Sequence, residues 1–177
     1  DGLTPPYSTI VADPPWHYDQ GGPTTGWGPL RPPPYSSMSV AEIAAMPVGD
    51  LTSADAHLYL WTTNAYLAAA FTIAEAWGFR HSQTLTWCKP PRGIGPGGAF
   101  SNTTEFALFC RRGSLRPQSR VDTTWWTWPR GPHSVKPAAF GDLVEQVSPG
   151  PYLELFARAP RLGWDAWGKG YESERAS

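Results

Sequence analysis

Charged residues are scarce in this chain, and their scarcity limits what the protein can bind. Charged residues make up 16% of the 177 residues, the net charge is −1 and the pI is about 6.5. No long run of lysine or arginine is present, which argues against an extended electrostatic grip on nucleic acid. One cluster of arginines could form a local basic patch or a solvated loop: Arg111, Arg112, Arg116, Arg120 and Arg130.

Cysteine pairs, metal-ligand spacings and long apolar runs are also missing. Cys88 and Cys110 lie in apolar, strand-like runs without paired spacing, which indicates reduced core residues in a cytoplasmic protein. The four histidines show no metal-ligand spacing, so no metal is expected. No stretch approaches the roughly 18 apolar residues of a membrane span, and no secretory signal opens the chain, so no membrane partner is expected. The length predicts a single domain over residues 1–177.

Glycine, proline and tryptophan are abundant instead, at 18, 20 and 10 residues. This composition indicates a compact core with long, stiff, aromatic-rich loops, where chemistry tends to be located. Residues 113–136 show no clear period and carry Trp125, Trp126 and Trp128. They are predicted to form a loop with one short edge strand.

Apolar periodicity predicts alternating strands and helices. The strands are expected at residues 7–13, 57–63, 82–88, 104–112, 152–158 and 163–167, and the helices at 39–46, 65–77 and 137–147. Ser39 and Glu42 have the spacing of a capping box, Asn64 is expected to cap the second helix, and Gly78 to end it. The alternation predicts an α/β sheet between helices, with any site at the carboxyl ends of the strands.

The first predicted strand runs directly into Asp13-Pro14-Pro15-Trp16. Two successive prolines make a rigid corner, because each fixes its own φ and restricts the residue before it. The Asp13 carboxylate and the Pro14 carbonyl then offer two adjacent acceptors, which suit the two donors of an NH₂ group. Trp16 adds a flat apolar face for a planar ring. An exocyclic amine of a nucleobase meets these demands, although a plain Pro-Pro turn is the alternative.

The sequence resembles the adenine N(6)-methyltransferase family typified by the catalytic subunit of the eukaryotic mRNA methyltransferase (MT-A70-like), which has bacterial and phage members. The ordered segments that carry the resemblance are "ADPPW", "PYSSMSVAEIAAMPV", "LYLWTTNAYL", "WGF", "TLTWCKP", "TEFALF", "HSVKP", "YLELFAR" and "GWDAWG". The resemblance covers nearly the whole chain, from about residue 9 to 169. The resemblance implies a permuted class I (Rossmann-like) methyltransferase fold, with a mostly parallel central sheet and helices on both faces. It also implies S-adenosylmethionine (SAM) as the methyl donor.

The resemblance assigns roles to individual positions. Asp13 and the Pro14 carbonyl would hold the target amine, with Pro15 and Trp16 shaping its pocket and Tyr35 and Trp61 lining it. Lys136 of "HSVKP" would neutralise the SAM carboxylate, as suits a compact ammonium, with a plain surface lysine as the alternative. The other positions matched to the cofactor site are His133, Glu154, Phe156, Arg158, Arg161 and Lys169.

Several of these positions have simpler explanations or depart from the family pattern. His133 is expected to orient neighbouring groups rather than act as a base, and Phe156 suits the core. Glu154 lies between two leucines, and an acid in an apolar strand needs a partner. Arg161 and Lys169 stand where relatives often have asparagine or other polar residues. The family usually carries a longer segment before DPPW with an acidic cofactor contact, and this chain begins too close to DPPW to show it.

These features predict a SAM-dependent enzyme that methylates the N(6) amine of adenine in nucleic acid, with DNA favoured over RNA. Cytosine N(4) methylation is one alternative, since related enzymes use a similar corner. The other is a non-catalytic scaffold subunit of the same fold, against which the intact Asp13 and Trp16 argue. The low charge favours help from a homodimer or partner subunit in holding nucleic acid. The loop with Trp125, Trp126 and Trp128 is a candidate for displacing a base from a duplex.

Overall fold

The structure is a computed structural model that describes residues 2–17, 36–94, 99–132 and 135–168. Its strands are β1 (Tyr7–Ala12), β2 (Thr52–Thr62), β3 (Arg80–Cys88), β4 (Thr104–Arg112), β5 (Trp125–Trp126), β6 (Tyr152–Leu155) and β7 (Trp164–Trp167). Its α-helices are α1 (Val40–Ala44), α2 (Leu67–Ala76) and α3 (Ala138–Val147). Two 3₁₀ turns, Val48–Leu51 and Asn64–Tyr66, precede β2 and α2.

The strands form one sheet in the order β5-β3-β4-β2-β1-β6-β7. The pairs β1–β2, β1–β6, β6–β7 and β3–β5 are parallel, whereas β4 runs antiparallel to both β2 and β3. The predicted mostly parallel sheet is therefore confirmed, with β4 as its reversed strand. The carboxyl ends of the other six strands lie at one edge, together with the start of β4. We call this the carboxyl edge, and the opposite side the amino edge.

Helices cover both faces of the sheet, as expected. On one face, side chains of α1 and α2 such as Ile43 and Ile73 share a core with Ile10, Leu58 and Leu155. On the other face, α3 packs Phe140, Leu143 and Val144 against Val11 and Tyr59. Strand side chains alternate between the two cores, which is the period-two pattern of a sheet buried on both sides.

Local signals at the helix ends are partly confirmed. Ser39 and Glu42 form the predicted capping box, and Gly78 ends α2 with φ of 88°. The prediction that Asn64 caps α2 is wrong, because the helix begins at Leu67 after a 3₁₀ turn. The Asn64 side chain instead donates to Asn102 Oδ1 at 2.9 Å, so it ties the turn to the segment before β4.

Strand β2 is longer than predicted, since it begins at Thr52 rather than at residue 57. Its first residues pass from buried Thr52 to exposed Ala54 and Asp55, and three of the first four are polar, so they lack the apolar run of the second half. Both cysteines are free thiols; Cys110 is buried as expected, whereas Cys88 is only partly buried. No helix in the described ranges is long and apolar enough to cross a membrane.

The arginine cluster does not form one patch. Arg111 and Arg112 end β4 at the amino edge, where their guanidinium groups donate to the carbonyls of Leu115 and Gly49. Arg130 donates to the carbonyl of Pro90, which follows β3 at the carboxyl edge. The reversal of β4 therefore separates arginines that are close in sequence.

Candidate active site

Strand β1 delivers Asp13 to the carboxyl edge between β2 and β6. The Asp13 amide donates to the Leu155 carbonyl at 3.4 Å, which continues the pairing of β1 with β6. The chain then turns, and the Trp16 amide donates to the Pro14 carbonyl at 2.9 Å. The Pro14 carbonyl, predicted to accept a hydrogen bond from a ligand, therefore already accepts one within the turn. A carbonyl oxygen has two lone pairs, so one acceptor position remains.

Trp16 is buried beneath this corner. Its ring stacks on Tyr66 with centroids 4.9 Å apart and planes 16° apart, and only 5% of the residue is exposed. Its indole Nε1 is buried without a hydrogen-bond partner among the described residues. The Met38 amide holds the next segment by donating to the Pro15 carbonyl at 2.9 Å. The Trp16 ring therefore forms the buried side of the proline corner, and Tyr66 covers one face of this ring.

Four charged side chains meet beside the corner, and we call them the carboxyl-edge cluster: Asp13, Lys89, Glu105 and Lys136. Lys136 Nζ lies 3.2 Å from Asp13 Oδ2 and 3.1 Å from Glu105 Oε1. Lys89 pairs with the other oxygen of Glu105. The structure therefore brings the proline corner and the lysine of "HSVKP" into direct contact, although 123 residues separate Asp13 from Lys136 in the sequence.

Strand register explains why these side chains face one another. Asp13 lies two residues after Val11, and Glu105 two residues before Ala107, and both Val11 and Ala107 belong to the core under α3. Because side chains alternate along a strand, both carboxylates lie on the α3 face. Lys136 stands just before α3 on that same face.

Burial and charge act in opposite directions within this cluster. Desolvation disfavours the charged form of Lys136, but the attraction of Asp13 and Glu105 outweighs it and raises the pKa of Lys136. For Glu105, burial alone would raise the pKa, yet the charge of Lys136 and the hydrogen bonds from the two lysines lower it. Both shifts favour the charged forms of Lys136 and Glu105, in a site whose side chains are only 16–18% exposed.

Trp61 and Glu154 complete the inner wall of the site. The Lys136 ammonium lies 5.1 Å from the centroid of the Trp61 ring, and Trp61 Nε1 is buried without a hydrogen-bond partner in the described chain. Glu154 on β6 is largely buried, which raises its pKa to about 7 together with the nearby charge of Asp13, while Arg161 opposes the shift. A partner was predicted for Glu154. The opposing charge comes from Arg161, which forms no direct ion pair with Glu154 in the described chain.

The segments after β6 and β7 hold the next candidates. Phe156 adopts φ of 63°, a left-handed conformation that costs a non-glycine residue about 1–2 kcal/mol, and it packs edge-on against Trp167. Gly168 is needed here, since a Cβ would lie 2.7 Å from the backbone of Ala157. Arg158 is exposed beyond this point.

Arg161 is engaged by helix α3. Its guanidinium pairs with Asp142 at 2.7 Å and with Glu145 at 2.9 Å, and its centre lies 5.5 Å from the Trp164 ring. The hydrogen bond to Glu145 and the surrounding acids raise the pKa of Arg161. These contacts support a structural role that joins α3 to the segment before β7.

Three predicted positions, Tyr35, His133 and Lys169, lie outside the described residues. Within the described ranges, no three His, Cys, Asp or Glu side chains converge in a way that could hold a metal ion.

Sequence reasoning assigned no role to Glu105, Lys89 or Tyr66, which the structure places at the site. A signal was present for two of them. Lys89 follows the apolar end of β3, and Glu105 stands at the start of an apolar strand. Charged residues that flank apolar strands lie at a sheet edge, but only the reversed direction of β4 shows that both belong to the same edge. Tyr66 gave no comparable signal.

The family model described as MT-A70 matches residues 7–170. The chain is 29% identical over 180 residues to the "Type II methyltransferase M.MunI" of Mycoplasma sp, covering 92% of this chain and 76% of that protein. It is 28% identical over 191 residues to the "N(6)-adenine-specific methyltransferase METTL4" of Mus musculus, covering 92% of this chain and 37% of that protein. The chain belongs to the MT-A70 family.

Proposed function

We propose that this protein transfers a methyl group from SAM to the exocyclic N(6) amine of adenine in nucleic acid. The observation that carries the proposal is the contact between Asp13 on its proline corner and Lys136, 3.2 Å apart at the carboxyl edge of the sheet. Membership of the MT-A70 family supports it, and so do two relatives that are named as methyltransferases, one of them as adenine-specific. The adenine-specific relative favours adenine N(6) over cytosine N(4) as the target.

The residues present fit SAM, which carries a carboxylate, positively charged groups and ribose hydroxyls. Lys136 offers a buried ammonium for the carboxylate. Glu154 offers a largely buried carboxyl group, and Trp61 Nε1 offers a buried donor without a hydrogen-bond partner in the described chain. Buried polar groups are normally satisfied, so the unpartnered Trp61 Nε1 and the raised pKa of Glu154 at this edge support a polar ligand.

When bound, SAM supplies a methyl group on a sulfonium, which is already a strong electrophile. The protein's task is then mainly alignment, and a well-oriented approach can lower the barrier by roughly 7–11 kcal/mol. Asp13 would accept a hydrogen bond from the adenine amine, since Lys136 uses one side of the carboxylate and other acceptor positions remain. The remaining lone pair of the Pro14 carbonyl would accept the second N–H.

Asp13 would act by hydrogen bonding rather than as a base. The neutral amine is far too weak an acid to lose a proton beforehand. Positive charge develops on nitrogen during transfer, and the nearby carboxylate stabilises it. The proton leaves after transfer, to solvent.

DNA is the proposed polymer, because the chain resembles the short bacterial and phage members of the family. The net charge of −1 supports a second subunit, either a copy of this chain or a partner, as a contributor to nucleic-acid binding. A single domain and a cytoplasmic location are part of the same proposal.

The test is mass spectrometry of nucleosides from DNA and RNA that have been incubated with the protein and isotope-labelled SAM. The expected product is labelled 6-methyladenine, more in DNA than in RNA, and greatly reduced for Asp13→Ala. Label in 4-methylcytosine would show the cytosine reaction instead. Undiminished labelling by Asp13→Ala would remove Asp13 from the catalytic role, and failure to bind SAM in a titration would indicate a scaffold subunit.

A further inference from the structure

Glu105 occupies the carboxyl edge because β4 runs opposite to its neighbours. Of the strands in the described ranges, β4 alone has its first residues at the edge where the others end. Glu105 is the second residue of β4, and its side chain is 16% exposed. The reversed strand thus adds an acid to a site that otherwise receives residues following parallel strands.

Two lysines share the Glu105 carboxylate. Lys136 Nζ lies 3.1 Å from Oε1, and Lys89 contacts Oε2. Lys136 also lies 3.2 Å from Asp13 Oδ2, so its ammonium bridges two carboxylates. The two acids and two lysines balance in charge, which is the arrangement that makes ionised groups tolerable when they are buried.

The shared lysine creates a competition for Asp13. The Lys136 ammonium beside Asp13 occupies acceptor positions of the carboxylate. It also reduces the negative charge that is available to an N–H group of the target amine. If Glu105 were neutral, Asp13 would be the remaining carboxylate within 4 Å of Lys136 in the described chain, and the ammonium would stay there. With Glu105 ionised, Lys136 keeps a charged partner when it moves away from Asp13.

We propose that Glu105 is a positioning residue that holds Lys136 and so leaves Asp13 available for the amine of the target base. The inference rests on the proposed function, because it assigns Asp13 to that amine. It predicts that neutralising Glu105 weakens recognition of the amine itself, rather than general binding of the nucleic acid.

The test is equilibrium binding of two fluorescent oligonucleotides, measured by anisotropy with no turnover. One contains a single adenine, and the other has unsubstituted purine at that position, which lacks only the amine. The wild-type protein is expected to prefer the adenine oligonucleotide. Glu105→Gln is expected to reduce that preference about tenfold, the scale of one hydrogen bond to a charged group, while its affinity for the purine oligonucleotide stays within about twofold.

One variant controls the measurement. Glu75→Gln neutralises an exposed acid on α2 and is expected to leave both affinities unchanged. Thermal unfolding confirms that each variant is folded.

Three outcomes would overturn the inference. The first is a wild-type preference retained by Glu105→Gln, and the second is an equal loss of both affinities, which indicates a purely structural residue. The third is a wild-type protein without any preference for adenine. That result contradicts the role of Asp13 in the proposed function, and it is recognised from the wild-type arm before any variant is measured.

Discussion

The two ends of the sheet each carry a buried polar cluster. One cluster is made of charged side chains and the other of neutral ones. The carboxyl-edge cluster consists of two acidic and two basic side chains joined by ion pairs. The amino-edge cluster consists of three neutral groups, His57, Tyr59 and Ser148, toward the other end of the sheet, where β2 passes the loops that follow β4 and α3. His57 and Ser148 are fully buried.

The amino-edge cluster satisfies its polar atoms internally. His57 Nε2 lies 3.0 Å from the Leu115 carbonyl, which can only accept, so Nε2 carries the proton. His57 Nδ1 then accepts from Ser148 Oγ at 2.7 Å, and Ser148 Oγ accepts from the Tyr59 hydroxyl at 2.8 Å. Burial lowers the pKa of His57 and raises that of Tyr59 above its ordinary value, which keeps both side chains neutral.

The carboxyl edge is left incomplete by comparison. Trp61 Nε1, Trp16 Nε1 and Arg130 Nε are buried here without hydrogen-bond partners in the described chain, whereas Arg111 Nε is the one such atom at the amino edge. The pKa of Glu154 is also raised to about 7. A closed network rigidifies a fold, whereas unsatisfied and ionised groups cost stability unless a ligand completes them. The difference supports the proposal that the carboxyl edge is the ligand-binding end.

Removing the shared cation should have the largest effect on stability. Lys136→Met leaves Asp13 without its cation in a site that is largely closed to water, and loss of one partner from a buried ion pair costs about 3 kcal/mol. Urea unfolding near neutral pH measures the change, with Arg92→Met on the exposed loop after β3 as the control. A decrease of less than about 1 kcal/mol in the free energy of unfolding would contradict the contrast between the two clusters.

Glu154→Gln should stabilise the protein in alkaline solution. The pKa of Glu154 is raised from 4.5 to about 7, so the folded protein holds this proton more tightly than the unfolded chain. The resulting stability is fully present below 4.5 and is lost as the pH rises through about 7. We expect the variant to gain about 2 kcal/mol near pH 8 and nothing near pH 4, as measured by urea unfolding. An equal gain at both pH values would show that the charge of Glu154 is irrelevant.

His57 should give a pH dependence of the opposite sign. Its pKa is lowered from 6.5 mainly by burial, so the unfolded chain binds this proton more readily than the folded protein. Stability is then fully present above 6.5 and decreases as the pH falls, by at most about 1.4 kcal/mol per pH unit. His57→Gln should flatten the slope between about pH 7 and 5.

Trp125→Ala should have the smallest effect on stability. Trp125 is 58% exposed on the edge strand, whereas Trp126 stacks on Trp128 with centroids 5.0 Å apart. We expect Trp125→Ala to change the free energy of unfolding by less than about 0.5 kcal/mol and to lower methylation of duplex substrate. Trp126→Ala should cost at least about 1 kcal/mol through the lost stack. Unchanged duplex activity after loss of Trp125 would remove this loop from base displacement.

Much of the fold was predictable because its signals are local. The strand predicted at residues 104–112 matches β4 in full, and the capping box of α1 depends on two residues three positions apart. The first residues of β2 were missed, since they belong to the sheet through pairing with neighbouring strands and show no apolar pattern of their own. The start of α2 was misplaced for the same reason, as Asn64 finds its partner in Asn102, far away in the sequence.

The sequence alone determined the proline corner with its acid and the α/β alternation of its elements, because proline geometry and apolar periodicity act over a few residues. It also carried the resemblance to a methyltransferase family. Only the tertiary structure decided that Glu105 and Lys89 join Asp13 and Lys136, and that Trp16 is covered by Tyr66. Those contacts depend on the reversal of β4 and on the order of strands, which bring together residues far apart in the chain. Strand direction and order are properties of the whole sheet and have no local sequence signal.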